Sequence, residues 1–137
     1  LTQIIGEYEE RFEKAGIEAV SEIPEEPVIL KADHRYLWRV FDNLMGNIAK
    51  YAQPGTRGYI SLKKKEEKTI VSFKNTSREP LNITEEELMQ RFVRGDRSRN
   101  TDGSGLGLSI AESLTTLMGG KFSIAIDGDL FKATVEF

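Results

Sequence analysis

The sequence predicts an α+β fold in which about three main helices pack on one face of a mixed sheet of five or six strands. The first observation is that helical and strand-like segments fall in separate runs along the chain. The second is the period of the apolar residues, which is helical in three segments and alternating in the others. The 137 residues suffice for a single domain with its own core.

The first helix is predicted over residues 1–15 and ends near Gly16. Its apolar side chains recur at helical spacing: Ile4, Ile5, Tyr8 and Phe12. The alternating segment from Ile17 to Ile23 is then typical of a strand, and Pro24 breaks it. After Pro27, a second short strand is predicted over Val28 to Leu30.

The second main helix begins after Asp33, a residue type that caps helices through its side-chain oxygen. One apolar stripe runs along it: Leu37, Val40, Phe41, Leu44, Ile48 and Tyr51. Pro54 and Gly55 end this helix. Strands over Gly58–Leu62 and Thr69–Phe73 follow, and the charged segment KKKEEK between them predicts the solvated tip of a hairpin.

The last third contains a long polar segment between two predicted helices. Thr84 and Glu87 form the capping box of a short helix with three residues facing inward: Leu88, Met89 and Phe92. A helix with five apolar positions ends at Gly119-Gly120; these positions are Leu106, Leu108, Ile110, Leu114 and Leu117. Two strands, Lys121–Ile126 and Leu130–Phe137, then pair around Asp127-Gly128.

Composition excludes several functional classes. The absence of cysteine excludes a disulfide scaffold and a thiolate zinc site, and the single histidine excludes a histidine-rich metal centre. The net charge of −3 gives no general attraction to nucleic acid or to an acidic membrane. The chain begins at Leu1 rather than Met and ends in a strand-like run, so we expect it to be a domain of a longer protein.

Three glycines at alternate positions lead into the last helix: Gly103, Gly105 and Gly107. Free backbone N–H groups and the dipole at a helix N-terminus favour anions, and glycine lets the chain approach phosphate oxygens closely. The spacing differs from the dinucleotide fingerprint, and no P-loop lysine follows. A flexible hinge without a ligand remains an alternative for these residues alone.

Three polar residues share one face of the second main helix: Asn43, Asn47 and Lys50. Asparagine is a mediocre helix former, so two of them on one face indicate a site. An amide oxygen suits Mg²⁺, and a lysine can meet a phosphate as a point charge. A solvated helix face is the alternative explanation for this pattern.

Taken in order, the segments NLMGNIAKYA, FVRGDRSR and GSGLGLSIA resemble the ATP-binding domain of sensor histidine kinases, whose fold is shared with DNA gyrase, Hsp90 and MutL. ADHRYLWRVFDNLMGNIAKYAQPGT resembles the N box of that family, LMQRFVRGD its F box and GSGLGLSIAESL its second glycine box. The resemblance implies a two-layer α/β sandwich of the Bergerat type with a five-stranded sheet. Residues 1–137 would form this one domain, with a lid over about 76–104.

The resemblance also implies roles for individual residues. Asn47 would coordinate Mg²⁺, Asn43 would line the same region, and Lys50 and Tyr51 would contact ATP; the candidate catalytic residues are Asn43, Asn47 and Lys50. Arg94 would lie near the phosphates. The residues that would wrap the phosphates are Gly103, Ser104, Gly105, Leu106 and Gly107.

The residue at position 43 bears on whether water can attack the bound nucleotide. ATPase relatives carry a glutamate base where Asn43 stands, and asparagine cannot accept a proton at neutral pH. Water attack is therefore not favoured, as suits a kinase. A gyrase-like or Hsp90-like ATPase is disfavoured for the same reason.

The first glycine box of the family departs most from its usual pattern. Asn75 stands where an aspartate normally accepts a hydrogen bond from adenine, and Ser77 stands at the first glycine. A neutral acceptor binds about half as strongly as a charged one, so adenine binding should survive but weaken. The segment GDLFKATVEF also lacks the usual Gly-Thr before the last strand.

The expected partners lie outside this chain. His34 is not in the sequence context of a phosphoacceptor, so the receiving histidine belongs to a separate dimerisation domain, and a response-regulator receiver domain acts next. We expect a monomeric cytoplasmic domain of a membrane-bound sensor kinase, without nucleic acid or direct membrane contact. The alternative function is a catalytically inactive nucleotide-sensing or protein-docking module of the same fold.

Overall fold

Helices cover one face of a five-stranded sheet in the computed structural model, which describes residues 1–81, 84–89 and 106–137. The fold class predicted from the sequence is therefore confirmed. The elements in chain order are α1 (Thr2–Ala15), β1 (Glu18–Glu22), α2 (His34–Tyr51), β2 (Arg57–Lys65), β3 (Lys68–Thr76), a short helix α3 at residues 85–89, α4 (Leu106–Leu117), β4 (Lys121–Asp127) and β5 (Leu130–Glu136).

The sheet has the order β1-β2-β3-β5-β4. β1 runs parallel to β2, and every other neighbouring pair is antiparallel. β3 is the central strand, and its alternate side chains are buried: Thr69, Val71, Phe73 and Asn75. These four share one face because successive side chains of a strand point to opposite sides. That face is the one covered by the helices, so the final buried position of β3 presents an amide to the helical layer.

The helix ends follow the signals in the sequence. α1 ends at Gly16, whose φ of 75° lies in the left-handed region that glycine adopts without steric cost. α2 begins after Asp33, whose carboxylate accepts hydrogen bonds from the backbone N–H groups of Arg35 (2.9 Å) and Tyr36 (3.3 Å). Since both ends of the connection are fixed by local chemistry, the direction of α2 across the sheet is well specified.

The core lies between the helices and the sheet. Phe41 of α2 contacts Phe73 of β3, with ring centroids 5.8 Å apart. Leu108 and Ala111 of α4 belong to the same hydrophobic core as these two rings. Ile4 and Phe12 of α1 also belong to it. Burying such side chains contributes about 1.5 to 3 kcal/mol each, so α2 is held mainly by its apolar stripe. Its polar face is thereby oriented toward one end of the sheet and α4.

One predicted strand is wrong. Residues 27–31, including Val28 to Leu30, are not in a strand, and Ile29 is 90% exposed. A strand needs a hydrogen-bonding partner, and the five-stranded sheet β1-β2-β3-β5-β4 does not include this segment. Pro27 removes a backbone donor at the start of the segment, which favours an irregular connection to α2.

Part of the predicted lid segment is attached to the body of the domain. Thr76 is still in β3, and the N–H of Glu87 donates to Oγ1 of Thr84 at 3.2 Å, so half of the predicted capping box is present. Leu88 is buried, and Glu85 accepts a hydrogen bond from the N–H of Ile126 in edge strand β4. The sequence-predicted inward residue Phe92 lies outside the described residues.

Candidate functional site

The polar face of α2 contains two amide side chains one turn apart. Asn47 is only 8% exposed, whereas Asn43 and Lys50 are half-buried. Nδ2 of Asn43 is buried and has no hydrogen-bond partner. An unsatisfied buried polar group costs about 1 to 3 kcal/mol, so native proteins rarely keep one without a reason. The face is therefore not the solvated helix surface of the alternative explanation, and its amides are suited to a ligand.

The first turn of α4 packs against this face through a glycine. A Cβ atom built on Gly107 would lie 3.5 Å from Cβ of Asn43 and 3.7 Å from its Oδ1. The absence of a side chain at Gly107 therefore leaves room between this residue and Asn43. Since the amide dipoles of a helix favour anions at this end, α2 and α4 together offer amide groups and a positive dipole to an anion.

The end of β3 lies beside the C-terminal end of α2. Ala52 and Ser77 form an isolated bridge, and the N–H of Arg78 donates to the carbonyl oxygen of Tyr51 at 2.7 Å. Asn75 precedes this junction by two residues, is 3% exposed, and its side chain points to the helical layer. Its amide makes no hydrogen bond with another described group. A third buried amide thus lies next to the helix that carries Asn43 and Asn47.

The donor set fits a magnesium ion held together with phosphates. Within the described ranges, no group of three or more His, Cys, Asp or Glu side chains could hold a metal ion. Mg²⁺ usually keeps several waters and takes one or two protein oxygens besides those of phosphates. The amide oxygen of Asn47 is a donor of the type that such an ion accepts, and its side chain lies on the face that also holds the unpartnered N–H group of Asn43.

A contact between α1 and α2 was not predicted from the sequence. The hydroxyl of Tyr8 lies 2.6 Å from Oδ1 of Asp42 and 3.0 Å from its carbonyl oxygen, and Asp42 immediately precedes Asn43. Burial, and then the hydrogen bond to Asp42, raises the pKa of Tyr8 to about 12, so the hydroxyl remains a donor at neutral pH. The only sequence signal was a tyrosine hydroxyl on the buried stripe of α1, which requires a partner somewhere.

Several predicted site residues are only partly described or not described. Arg94, Gly103, Ser104 and Gly105 lie outside the described residues, and Leu106 is described only as the first residue of α4. Lys50 and Tyr51 are half-buried at the C-terminal end of α2, and each interacts with a neighbouring group. His34 is the exposed first residue of α2.

In the described part of the chain, we find no helix with the length and apolar character that crossing a membrane requires.

Comparisons with known proteins place this chain in a family. The family model described as histidine kinase-, DNA gyrase B- and HSP90-like ATPase matches residues 32–136. The probable sensor protein PcoS of Escherichia coli is 36% identical over 102 residues, which is 73% of this chain and 22% of PcoS. The chain thus spans about a fifth of the length of that relative.

Solved structures agree with the sequence comparison. The catalytic domain of the histidine kinase ThkA has a TM-score of 0.81 and 24% identity, covering 99% of this chain and 88% of that one. Full-length ShkA in complex with AMPPNP has a TM-score of 0.77 and 25% identity, covering 98% of this chain and 28% of that one. The matched range begins at Ala32, just before α2, and extends into β5, so it includes every described site residue. With the polar face of α2, the first turn of α4 and the end of β3 all inside that range, the chain belongs to the family of histidine kinase-, DNA gyrase B- and HSP90-like ATPases.

Proposed function

We propose that this chain is the ATP-binding catalytic domain of a two-component sensor histidine kinase. It binds Mg·ATP and transfers the γ-phosphoryl group to a histidine on a separate dimerisation domain. The family implies the nucleotide, since its members are ATPase domains, and the relatives named above are sensor proteins and histidine kinases. The AMPPNP complex of ShkA supports the same ligand class for this chain.

The observation that carries the proposal is the set of three asparagines, two buried and one half-buried, around the C-terminal half of α2. Asn43 has a buried N–H group without a partner, Asn47 is 8% exposed, and Asn75 is 3% exposed at the end of β3. A domain whose only task is protein docking has no use for the unpartnered N–H group of Asn43, because an uncompensated buried polar group costs folding free energy. A nucleotide with its phosphates supplies acceptors and donors for all three.

Each residue has a distinct proposed task. The oxygen of Asn47 holds Mg²⁺, which would offset the negative charge of the phosphates when bound. The N–H groups of Asn43 donate to a phosphate oxygen, and Lys50 and Tyr51 contact the nucleotide from the end of α2. Gly107 keeps the first turn of α4 free of a side chain beside the phosphates. Arg94 and the residues from Gly103 to Leu106 would complete the phosphate side.

Phosphoryl transfer requires little covalent chemistry from these residues. The bond between the γ-phosphorus and its bridging oxygen breaks, a bond to the imidazole nitrogen of the receiving histidine forms, and ADP leaves. Asn43 has no acid–base capacity at neutral pH, so it positions the phosphates without activating water. The site would therefore retain ATP until the histidine of the dimerisation domain arrives.

The wider assignment follows from the same proposal. Residues 1–137 form one catalytic domain that binds as a monomer to its own dimerisation domain, and a response-regulator receiver domain accepts the phosphoryl group from that domain. Most of the full protein, including a sensor part at the membrane, would lie outside this chain, which would act in the cytoplasm without contacting nucleic acid or membrane.

Phosphotransfer to the histidine-containing dimerisation segment of the full protein tests the proposal. The chain is mixed with that segment, Mg²⁺ and ATP labelled at the γ-phosphate, and acid-labile label on the segment is measured. We expect labelling that Asn47→Ala abolishes. Binding of ATP without labelling would instead identify the nucleotide-sensing module, and absence of both would contradict an ATP site of any kind.

A further inference from the structure

We propose that Asn75 lets this site accept guanine as well as adenine nucleotides. The inference rests on the proposed function, because it assigns the base-contacting group of the same site. Asn75 is the last buried side chain of β3, and it points to the helical layer beside the end of α2. Its chemistry differs from that of a carboxylate in one respect that matters here, since an amide offers a donor as well as an acceptor.

The surroundings of Asn75 leave its amide orientation open. Its neighbour across the β3–β5 pair is Phe131, and two residues earlier on the same face lies Phe73. Neither phenyl ring can accept or donate a conventional hydrogen bond to the amide, and no other described group bonds to it. A rotation of 180° about the last side-chain torsion exchanges Oδ1 and Nδ2 without moving the strand. The sheet neighbours of Asn75 therefore do not fix which of the two atoms faces a ligand.

Adenine and guanine differ in the direction of their hydrogen bonds at this edge of the base. Adenine carries an amino donor at position 6 and an acceptor at N1, whereas guanine carries a carbonyl acceptor at position 6 and a donor at N1. A buried carboxylate accepts from the adenine amino group and repels the guanine carbonyl. The Asn75 amide pairs with adenine in one orientation and with guanine in the other.

The energetics favour weak discrimination between adenine and guanine nucleotides. A site that fixes a donor or acceptor rejects a base with the wrong pattern, and a good bidentate pair is worth about 1 to 3 kcal/mol of discrimination. An amide that rotates at little cost in free energy loses most of that discrimination between the two bases. We expect the dissociation constants of the ATP and GTP complexes to agree within about tenfold, because tenfold corresponds to about 1.4 kcal/mol.

Calorimetric titration of the chain with ATP, GTP and inosine triphosphate in the presence of Mg²⁺ tests this inference. Inosine triphosphate has the guanine pattern at position 6 and N1 but no 2-amino group, so it separates hydrogen-bond reading from steric exclusion. The unmodified chain should bind all three with dissociation constants within about tenfold of one another. Asn75→Asp should bind ATP more tightly and select it over the other two by more than about tenfold.

The outcomes separate this inference from the proposed function. ATP binding with more than tenfold rejection of both guanine-like nucleotides by the unmodified chain would overturn the inference and leave the proposed function intact. Binding of inosine triphosphate without GTP would also overturn it, because guanine would be excluded at its 2-amino group. Failure of every nucleotide to bind would contradict the proposed function itself.

A second variant keeps the inference testable if the buried carboxylate of Asn75→Asp prevents the protein from folding. In Asn75→Leu the side chain keeps two heavy-atom branches on Cγ and has no hydrogen-bonding group. It should weaken ATP and GTP by similar factors and leave the affinity for inorganic triphosphate unchanged. Loss of ATP binding alone in Asn75→Leu would show that the amide reads only adenine, and this result would overturn the inference.

Discussion

Asn43 and Gly107 face each other across the contact between α2 and α4. A methyl group on Gly107 would lie 3.5 Å from Cβ of Asn43 and 3.7 Å from both its backbone carbonyl oxygen and its Oδ1. These are ordinary van der Waals distances, so the protein itself tolerates a larger residue there. The proposed function explains the glycine by a phosphate group that approaches this turn when bound, and two predictions follow from this pair of residues.

Gly107→Ala should weaken Mg·ATP binding without harming the fold. Alanine is a better helix former than glycine by about 1 kcal/mol, so the free energy of unfolding should stay equal or rise. The added methyl group obstructs the approach of phosphate to the first turn of α4, and we expect the dissociation constant to rise by about tenfold or more. Calorimetry and denaturant unfolding measure the two quantities.

Gly6→Ala is the matched control for this substitution. Gly6 lies in α1, and a Cβ atom there would meet nothing within 4 Å. It should gain helix stability to a similar extent and leave nucleotide affinity unchanged. If Gly107→Ala bound Mg·ATP as tightly as Gly6→Ala does, the phosphates would not lie against the start of α4.

Asn43→Ala should change stability and binding in opposite directions. The substitution removes a buried N–H group without a partner and replaces a poor helix former, so the free energy of unfolding should rise by about 1 kcal/mol. Mg·ATP affinity should fall, since the donor to phosphate is lost. Gln3→Ala, at an exposed amide of α1, controls for helix propensity alone. A decrease in stability would mean that the Asn43 amide is satisfied within the protein.

Two substitutions of Asn47 test its assignment as the metal ligand. Asn47→Ala should make nucleotide binding insensitive to Mg²⁺, because the amide oxygen is the protein ligand in the proposed site. Asn47→Asp keeps an oxygen at the same position and should retain the dependence on Mg²⁺. Titrations of ATP with Mg²⁺ and with a chelator measure the difference. Equal Mg²⁺ dependence in the alanine variant and the unmodified chain would exclude Asn47 as the ligand.

Tyr8→Phe should lower stability in a pH-dependent way. The hydrogen bond to Asp42 contributes about 1 to 2 kcal/mol at neutral pH. Burial and this bond raise the pKa of Tyr8 from 10.0 to about 12, so the folded state holds the proton more tightly. The contribution is therefore complete below pH 10 and is lost as the pH rises toward about 12.

Unfolding free energies of the two proteins at a series of pH values check this prediction. Their difference should be constant from neutral pH to about 10 and shrink above it, because groups that titrate equally in both proteins cancel. A constant difference up to pH 12 would show that ionisation of Tyr8 does not weaken its contact with Asp42.

Elements with local signals could be predicted from the sequence, whereas pairing between distant segments could not. Residues close together in the sequence specify three features: the apolar stripe of α2, its N-terminal cap at Asp33, and the left-handed end of α1 at Gly16. The parallel pairing of β1 with β2 depends on contacts across the α2 crossover, and no local pattern encodes it. The false strand at Val28 to Leu30 has the same origin, since a strand-like pattern does not supply a partner.

The candidate site shows the same division. Asn43 and Asn47 were recognised because their spacing puts them on one helix face, and the structure adds that one is buried and the other has an unpartnered N–H group. Asn75 was recognised by resemblance, and its burial follows from the alternation of β3. The bond from Tyr8 to Asp42 joins residues 34 positions apart, so only the packing of α1 on α2 reveals it.

Calorimetric titration of ATP into the chain, with Mg²⁺ and with a chelator, tests the central claim most directly. The proposed site predicts saturable binding of one nucleotide that is stronger with Mg²⁺, and the strengthening by Mg²⁺ should be lost in Asn47→Ala. No binding at millimolar ATP, from a chain shown to be folded by its cooperative unfolding, would contradict the account. The three asparagines would then need another explanation, and the docking module would become the better description of this domain.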